Sequence, residues 1–501
     1  MKPTGWLLCA MLCWPVPAAA EPIALRHDGR TVAEGELLGF DGRYYRILGP
    51  NGEVTLDGRT LECIGAGCPS PEAPQIVRIS GEASVVRTVL PPLIETFSRR
   101  EGYDLAHDTD GAATRYTLSR GDKVLARMTL APTSSSEGFA DLVADLADVA
   151  VSLRPPDSIE LALAREAGRG DLSEASRRAI LGLDGVVPVV SALSERSAIS
   201  VEDISGWPPE ALHIPDPATS AGEAILRHFP SLGDRPVVPH ATLEALAAAV
   251  AASPDALGLT LYSAQGDTLP LTLMGPCGAS VDADPQSLKT EDYPLTAPVF
   301  LYTPMRRITG VARNFLDYVV SPIAQPVIQR AGLVDQFPEA IPFAAQGERL
   351  GLAIIAAEQD AVLTGLQRMV TDLRGKARLT LSFRFEGGSS QLDAQSQDNV
   401  DRLAAALRGG LFDGRRLIFA GFSDGGGTVY GNRRLSRERA EAVRSAVAEA
   451  VPGTNVLLDV AAYGEVLPIA CDETDWGRRM NRRVEVWVGA DEPTGTPRPG
   501  N

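Results

Sequence analysis

The chain has 501 residues, of which 44% are hydrophobic and 22% are charged, a composition ordinary for globular protein. A single hydrophobic core stops growing at roughly 250–300 residues, so this length predicts two or three domains. The formal net charge of −17 argues against non-specific binding to nucleic acid or to an anionic membrane, because both require positive surface potential.

The first twenty residues have the pattern of an export signal. Lys2 supplies a positive start, residues 6–16 form a short apolar run, and Ala18-Ala19-Ala20 is a small-residue cleavage site. The run is shorter than the roughly 18 apolar residues that span a bilayer, and no later stretch reaches that length. The sequence therefore predicts a signal peptide over residues 1–20 and a mature protein in the periplasm.

The six cysteines are at positions 9, 13, 63, 68, 277 and 471, and the first two fall in the predicted signal. Cys63 and Cys68 flank a short glycine-rich loop, and an oxidising compartment favours a disulfide between them. Cys277 and Cys471 are single cysteines in different predicted domains. For these two, separate buried thiols are favoured over a bridge between domains.

The region before residue 345 divides into two parts by its pattern. Residues 21–70 are short alternating runs with turn signals such as Asn51-Gly52, which predict a small all-β domain. Residues 75–345 alternate apolar strands with amphipathic helices, among them 85–100 and 311–331. This order predicts an α/β domain with a largely parallel sheet and helices on both faces.

The pattern of residues 351–488 predicts a second α/β domain, preceded by a helix. Residues 351–375 have the apolar spacing of one long connecting helix. Residues 378–488 follow the order strand, helix, strand, helix, strand. The Pro- and Gly-rich residues 489–501 are typical of a disordered tail.

Three strand-to-helix junctions within residues 75–345 carry small hydroxyl residues at the start of a helix, at 80–84, 133–138 and 218–222. Free backbone N–H groups, hydroxyl donors and the positive end of the helix dipole together suit phosphate or another oxyanion. Ser and Thr are also preferred N-cap residues everywhere, so simple capping is the alternative at each junction. Three such junctions in one domain favour a ligand cleft.

The order of segments in this region resembles the PstS-like phosphate-binding periplasmic receptors of ABC transporters, in which two α/β lobes close on a ligand. The matching segments are 80–86, 136–139, 147–155, 183–190 and 292–302. The resemblance makes a small anion the expected ligand and an ABC transporter or an outer-membrane protein a candidate partner. The residues that it implies as ligand-binding are Ser84, Ser136, Ser152, Arg154 and Ser220.

The region departs from the family at its third loop, which reads Ser220-Ala221-Gly222-Glu223 where the family has Ser-Gly-Thr. Each of the three loops also carries a glutamate, namely Glu82, Glu137 and Glu223. A carboxylate within about 5 Å of a dianion repels it unless the carboxylate is protonated or points away. Phosphate is the leading ligand, and a zwitterionic or amine-bearing solute is one alternative. A second is a scaffold domain that binds partner proteins and no small ligand.

Residues 421–425, Gly-Phe-Ser-Asp-Gly, match the nucleophile-elbow pattern of hydrolases, which requires a helix directly after the serine. The three glycines at 425–427 argue against such a helix, and the last of the five histidines, His240, lies in another domain. The sequence has no zinc spacing, P-loop or hydrolase triad. We therefore expect a protein that is not an enzyme and that uses no metal or cofactor.

A helix start is predicted near residue 436, with Ser436 as the N-cap and residues 437–451 at helical spacing. Arg439 would then lie near position N3, where a cation opposes the helix dipole, close to the glycine-rich loop that holds Asp424. Arginine binds a carboxylate bidentately and aspartate binds an ammonium, so the pair fits a ligand with both groups. From spacing alone, an internal Asp424–Arg439 salt bridge is the favoured alternative.

Residues 378–488 resemble the OmpA-like peptidoglycan-binding domain. The matching residues are Ser423-Asp424, Tyr430-Gly431-Asn432, Leu435-Ser436, Arg439-Ala440, Gly464 and those at 481–485. The resemblance implies an α/β sandwich that binds the diaminopimelate of the peptidoglycan stem, with Asp424 and Arg439 as the paired contacts. Asn432 and Ser423 would support them; Ser423 keeps a hydroxyl where threonine is common.

Two further residues of this motif, Asn481 and Arg483, are expected to stabilise the fold. Taken with the upstream region, the sequence predicts a periplasmic solute-binding protein that is anchored non-covalently to the cell wall, near the outer membrane.

Overall fold

The computed structural model describes residues 22–40, 43–70, 73–357, 359–385 and 391–489. The predicted signal peptide and residues 490–501 of the predicted tail lie outside these ranges. Among the described residues, no helix is both long enough and apolar enough to cross a membrane.

The N-terminal domain is all-β, as predicted, and forms one five-stranded antiparallel sheet in the order β4-β3-β2-β1-β5. Asp28 and Gly29 make the two-residue β1–β2 turn with φ of 48° and 76°, the left-handed conformation that such a turn requires. Cys63 and Cys68 form the predicted disulfide beside the small core. The strands are β1 Ile23–His27, β2 Arg30–Phe40, β3 Tyr44–Gly49, β4 Gly52–Asp57 and β5 Glu62–Ile64.

The second domain, residues 75–339, is called the receptor-like domain. Its described residues contain fourteen strands. They are β6 Gln75–Glu82, β7 Asp104–Asp110, β8 Ala113–Arg120, β9 Lys123–Thr133, β10 Val149–Ser152, β11 Arg178–Val190, β12 Ala198–Ser200, β13 Leu212–Pro215, β14 Val238–His240, β15 Leu257–Leu261, β16 Leu269–Pro270, β17 Thr272–Met274, β18 Ser280–Val281 and β19 Thr296–Tyr302.

Ten α-helices of the described residues pack around these strands. They are α1 Ala83–Thr88, α2 Leu90–Glu101, α3 Ser135–Val143, α4 Ser158–Glu166, α5 Val201–Gly206, α6 Ser220–His228, α7 Leu243–Ala251, α8 Pro285–Lys289, α9 Gly310–Val319 and α10 Gln325–Arg330. The single helices predicted over 85–100 and 311–331 are each two helices. Proline has no backbone N–H and therefore interrupts the helical hydrogen bonds, at Pro91 and Pro92 in the first case and at Pro322 in the second.

The main sheet has the order β14-β13-β15-β11-β19-β10-β6-β9-β8-β7, and β16 pairs with β11. It is a mixed sheet, so the prediction of a largely parallel one was wrong. Strands β9, β6 and β10 are parallel, whereas β11 and β19 run antiparallel to each other and β19 runs antiparallel to β10. The reason is that the domain has two lobes, a first lobe around β6–β10 and a second lobe around β13–β15, and that β11 connects them. Residues 178–185 of β11 pair with β19, and residues 186–190 pair with β15 of the second lobe.

The C-terminal domain is built on a five-stranded sheet in the order β20-β21-β24-β22-β23. Its first strand falls before the predicted boundary at residue 345 and pairs antiparallel with β21. The strands are β20 Ala340–Pro342, β21 Ala377–Phe383, β22 Arg416–Phe422, β23 Leu457–Gly464 and β24 Val484–Val488. The helices are α11 Gly347–Ala356, α12 Asp360–Leu373, α13 Ala394–Arg408, α14 Val429–Ala450 and α15 Asp475–Asn481.

Helices cover both faces of this sheet. On one face, α13 and α14 pack their apolar sides against Leu381, Phe419 and Val486. On the other, Leu366 of α12 and Ala353 of α11 pack against Trp487. The long connecting helix predicted over 351–375 is therefore two helices, and both belong to the C-terminal core.

The receptor-like and C-terminal domains are joined by buried ion pairs. Arg378, with 1% of its side chain exposed, donates to both oxygens of Asp292 at 2.5 and 3.0 Å. Arg384 donates to the backbone oxygen of Glu291 at 2.6 Å. Burial would raise the pKa of Asp292, but Arg378 and Arg349 hold it well below its usual range. The charges are thus present on both sides of the interface.

Cys277 and Cys471 form a disulfide between the two domains, so the prediction of two separate thiols was wrong. The two residues are 194 positions apart, and their proximity depends on how the domains pack. Cys277 lies in an exposed turn of the receptor-like domain, and Cys471 is buried in the C-terminal domain.

A pH effect on stability follows from Glu291 at this interface. Burial is the main cause that raises its pKa to about 8 from a usual value near 4.5, with Asp393 adding to the rise. Because the folded state holds the proton more tightly, the free energy of unfolding decreases as pH rises from about 4.5 to 8. We expect Glu291→Gln, which stays neutral, to remove part of that decrease. The measurement is the thermal unfolding midpoint between pH 4.5 and 8.5.

Glu441→Gln is the control for this measurement, because Glu441 is half exposed in a helical ion pair on α14. It should keep the wild-type pH dependence. Parallel curves for wild type and Glu291→Gln would show that Glu291 does not titrate between the folded and unfolded states as described.

Candidate functional site

The first candidate site lies at the carboxyl end of β22, in the glycine-rich loop 424–428. The Asp424 carboxylate is partly exposed, and its Oδ2 accepts a hydrogen bond from Nη1 of Arg482 at 2.6 Å. The loop is fixed from below by Asp472, whose Oδ2 accepts from the Gly425 N–H at 2.7 Å. Gly427 has φ of 97°, so this turn needs a glycine.

Arg439 projects from α14 toward the same loop. Its guanidinium lies over the ring of Phe385, 5.5 Å from the centroid, and within the described part of the chain it makes no hydrogen bond or ion pair. Burial and the nearby Arg482 lower the pKa of Arg439, while Asp424 opposes the shift. The internal Asp424–Arg439 salt bridge, the alternative that spacing alone favoured, does not form, so Arg439 is available to an incoming carboxylate.

The helix that carries Arg439 begins eight residues earlier than predicted. Thr428 is the N-cap of α14, and its side chain accepts from the Gly431 N–H at 3.1 Å. Ser436 lies inside the helix, where its hydroxyl donates to the Arg433 carbonyl and accepts from the Gly464 N–H. Arg439 is therefore not at N3, and the inference from a cation opposing the helix dipole was wrong.

Asn432 and Ser423 lie beneath the loop. Asn432 is 2% exposed, and its amide donates to Glu465. Ser423 is 4% exposed, its N–H donates to the Gly464 carbonyl at 2.8 Å, and its hydroxyl has no hydrogen-bond partner among the described residues. These two residues thus support the loop and do not line its open face.

Arg482 is the residue that the sequence interpretation missed. It stood in the matched motif without a role, between Asn481 and Arg483, which are both buried as expected. Asn481 accepts from the Ile469 N–H and donates to Asp472, and Arg483 donates to Glu485. The sequence feature that could have indicated its role is its position directly after the end of helix α15. From there the long arginine side chain can reach the loop that contains Asp424.

The second candidate site is the cleft of the receptor-like domain, where the structure brings Ser136, Arg154, Glu223 and Glu160 together. Arg154 donates to both oxygens of Glu160 at 2.7 Å, to Glu223 at 3.0 Å and to the Ser136 hydroxyl at 2.6 Å. Ser136 in turn donates to Glu223 at 2.8 Å. The hydrogen bonds to Glu160 and to Glu223 raise the pKa of Arg154.

The other predicted hydroxyls are bonded to the protein itself. The Ser220 Oγ accepts from the Ser135 N–H at 2.7 Å, and Ser152 donates to the Arg154 carbonyl at 2.7 Å. Ser84 donates to Glu82 at 2.9 Å, at the start of α1. The loops around 136 and 220 meet, as predicted, but among the described residues Ser84 makes no hydrogen bond to either of them.

The three glutamates of these loops each have a structural partner. Glu82 accepts from the backbone N–H and hydroxyl of Ser84, and Glu137 completes a capping box with Ser134. Glu223 differs from these two, because its carboxylate reaches from the second lobe to Arg154 and Ser136 of the first. The Glu223 carboxylate therefore accepts hydrogen bonds from the same donors that an oxyanion ligand would use.

Comparison with known proteins matches residues 384–482 to the OmpA family. In Pseudomonas aeruginosa, outer membrane porin F is 30% identical over 114 residues, which are 23% of this chain and 32% of porin F. The outer-membrane lipoprotein YfiB is 31% identical over 27% of this chain and 80% of YfiB. The peptidoglycan-associated lipoprotein is 35% identical over 22% of this chain and 62% of its own length. The chain therefore belongs to the OmpA family through its C-terminal domain.

The upstream part is similar in fold to an ABC-type phosphate transport receptor from Vibrio cholerae, with a match that covers 52% of this chain and 99% of the receptor. The identity is 13% and the TM-score 0.39, so nothing about a ligand of this chain follows from that likeness.

Proposed function

We propose that the protein binds peptidoglycan non-covalently through its OmpA-like domain and thereby attaches to the cell wall in the periplasm. The observation that carries this proposal is the arrangement of Asp424 and Arg439, a carboxylate and, among the described residues, an unpaired guanidinium at one loop. A carboxylate accepts from an ammonium, and a guanidinium binds a carboxylate with two parallel hydrogen bonds. The side-chain end of diaminopimelate in a stem peptide presents both groups on one carbon.

Arg482 has a defined part in this proposal. Without ligand it neutralises Asp424 at 2.6 Å, which keeps a partly buried carboxylate paired. When a ligand ammonium reaches Asp424, Arg482 is released and becomes a second donor, beside Arg439, for the ligand carboxylate. Asp424 thus has a cationic partner in both states.

The family and the cysteine chemistry support the same proposal. The names of the relatives describe outer-membrane or peptidoglycan-associated proteins, and the two described disulfides suit an oxidising compartment. We place the protein in the cell envelope and assign it no enzymatic activity.

For the receptor-like domain we propose a scaffold role, in which the two lobes are held together by an internal ion pair. The supporting observation is that Glu223 of the second lobe accepts hydrogen bonds from Nε of Arg154 and from the Ser136 hydroxyl of the first lobe. Oxyanion binding, with phosphate as the leading ligand, is the second candidate, favoured by the meeting of the loops at Ser136 and Ser220.

A thermal-shift assay with inorganic phosphate separates these two roles. A ligand that binds only the folded state raises the unfolding midpoint according to RT ln(1 + [L]/Kd). We expect no shift of the wild type at millimolar phosphate. We expect a shift for Glu223→Ala, which frees Nε of Arg154 and the Ser136 hydroxyl as donors while Glu160 keeps its two bonds to Arg154. Glu174→Ala, at an exposed surface ion pair, is the control and should not respond. A shift of the wild type would establish oxyanion binding and contradict the scaffold role.

A further inference from the structure

A cleft of about 300 Å³ lies between the second lobe of the receptor-like domain and α15 of the C-terminal domain. This volume is at the lower end of the range for small-molecule sites, roughly 300–1,000 Å³. The Cys277–Cys471 disulfide ties the two sides together, and Cys471 is part of the lining. The two domains therefore build the cleft jointly and keep it at a fixed width.

Three basic side chains line this cleft: Arg227 and His228 from α6, and Arg479 from α15. Within the part of the chain that the structure describes, none of the three side chains makes a hydrogen bond or an ion pair. The formal net charge of the chain is −17. In so acidic a chain, two guanidiniums beside an imidazole, without a carboxylate partner among the described residues, make this cleft a local concentration of hydrogen-bond donors.

The electrostatics of the cleft follow from this arrangement. His228 keeps part of its surface exposed, but desolvation by the surrounding protein, followed by repulsion from Arg227 and Arg479, lowers its pKa to about 4, so the imidazole is neutral at pH 7. Burial and the nearby Arg154 lower the pKa of Arg227. Among the described residues, Glu202 is the carboxylate of the lining without an arginine partner; Asp292 also lines the cleft but is held by Arg378. An anion that entered would relieve the repulsion among the cations.

The cleft also has apolar walls, which include Trp476 of α15 and Met274 of β17. An indole ring offers a flat face to the C–H side of a sugar or to a methyl group, and its N–H remains a donor. The guanidiniums of Arg227 and Arg479 would bind a carboxylate, and the ring of Trp476 would contact a sugar or a short peptide joined to it.

The cleft adjoins the loop of Asp424 through one short segment. Cys471 lines the cleft, and the next residue, Asp472, accepts from the Gly425 N–H. Helix α15 presents Arg479 to the cleft, and Arg482, directly after this helix, reaches Asp424. A polymer held at Asp424 therefore has a second cationic site next to it.

We infer that this cleft binds a second, carboxylate-bearing sugar–peptide portion of peptidoglycan, through Arg227 and Arg479 with Trp476 as the apolar wall. The inference rests on the proposed function and adds a contact that needs the receptor-like domain. A free oxyanion such as inorganic phosphate is also negatively charged and is the competing ligand.

The test uses the full chain with a soluble disaccharide–peptide fragment of peptidoglycan, free diaminopimelate and inorganic phosphate as separate probes. We expect Arg227→Gln/Arg479→Gln to weaken binding of the fragment by at least about tenfold, as for the loss of one charge-assisted hydrogen bond, and to leave free diaminopimelate binding unchanged. Arg313→Gln, a change in an exposed helical ion pair on α9, is the matched control and should change neither.

The NMR signal of His228, assigned by its loss in His228→Asn, reports on the cleft directly. The fragment should move this signal and raise the pKa of His228 from about 4, because a bound anion favours the imidazolium. Phosphate alone should cause no such change. A response to phosphate without a response to the fragment would overturn the assignment to peptidoglycan.

Failure of the inference and failure of the proposed function give different results. If Asp424→Ala abolishes diaminopimelate binding but the double variant binds the fragment like wild type, the cleft assignment is wrong and the proposed function stands. If diaminopimelate does not bind to wild type, the proposed function is wrong. In that case a His228 response to the fragment still supports the cleft, and its absence overturns the cleft as well.

Discussion

Asp424→Ala and Arg439→Ala are each expected to reduce strongly the co-sedimentation of the protein with purified peptidoglycan sacculi. A hydrogen bond to a charged group contributes about 1.5–3 kcal/mol, so each change should weaken binding by about 10- to 100-fold. The thermal unfolding midpoint should change little in Arg439→Ala, because this guanidinium makes no ion pair within the described residues. The measurement is the bound fraction as a function of sacculus concentration.

Arg434→Ala is the matched control for this experiment. Arg434 is on the same helix, is exposed, and forms a surface ion pair with Glu438 at 3.7 Å. Its removal takes away the same charge without touching the loop, and sedimentation should stay at the wild-type level. Equal binding by wild type, Asp424→Ala and Arg439→Ala would refute the assignment of the site.

Asp292→Ala is expected to destabilise the interface between the two domains by about 3–5 kcal/mol, the usual effect of removing one partner of a buried ion pair. The change leaves Arg378 charged and buried, with 1% of its side chain exposed, and Glu485 as its remaining carboxylate neighbour. Trp487, whose indole donates to Glu485, reports on this region. Urea unfolding followed by its fluorescence should show a lower midpoint.

The control for this prediction is Asp317→Ala, which removes an exposed carboxylate from a helical ion pair with Arg313. Such pairs contribute roughly 0.3–0.5 kcal/mol, so the urea midpoint should hardly move. A loss of stability in Asp292→Ala as small as that in the control would show that the Arg378–Asp292 pair does not hold the domains together.

The parts of the fold that could be predicted from the sequence depend on local signals. The Asp28-Gly29 turn, the alternation in β21 and the spacing of α13 are each set by residues close in sequence. The start of α14 could not be predicted in the same way, because Thr428 and Ser436 both satisfy the rules for an N-cap. What decides between them is tertiary, since the Ser436 hydroxyl is used by the Gly464 N–H of β23.

The pairings across domains were beyond prediction for the same reason. Cys277 and Cys471 have no local feature that distinguishes a bridge from two thiols, and their contact depends on how the receptor-like and C-terminal domains pack. The glutamates of the three receptor-domain loops, Glu82, Glu137 and Glu223, were expected to oppose anion binding there. The sequence contained no sign that Glu223 would pair with Arg154, 69 residues away.

The most direct test of peptidoglycan recognition is calorimetric titration of the full chain with two stem peptides that differ only at the third residue. Diaminopimelate has a terminal carboxylate and ammonium, whereas lysine keeps the ammonium and lacks the carboxylate that Arg439 would bind. We predict binding of the diaminopimelate peptide and at least about tenfold weaker binding of the lysine peptide. Equal affinity for the two peptides, or no binding of the diaminopimelate peptide, would contradict the proposed site.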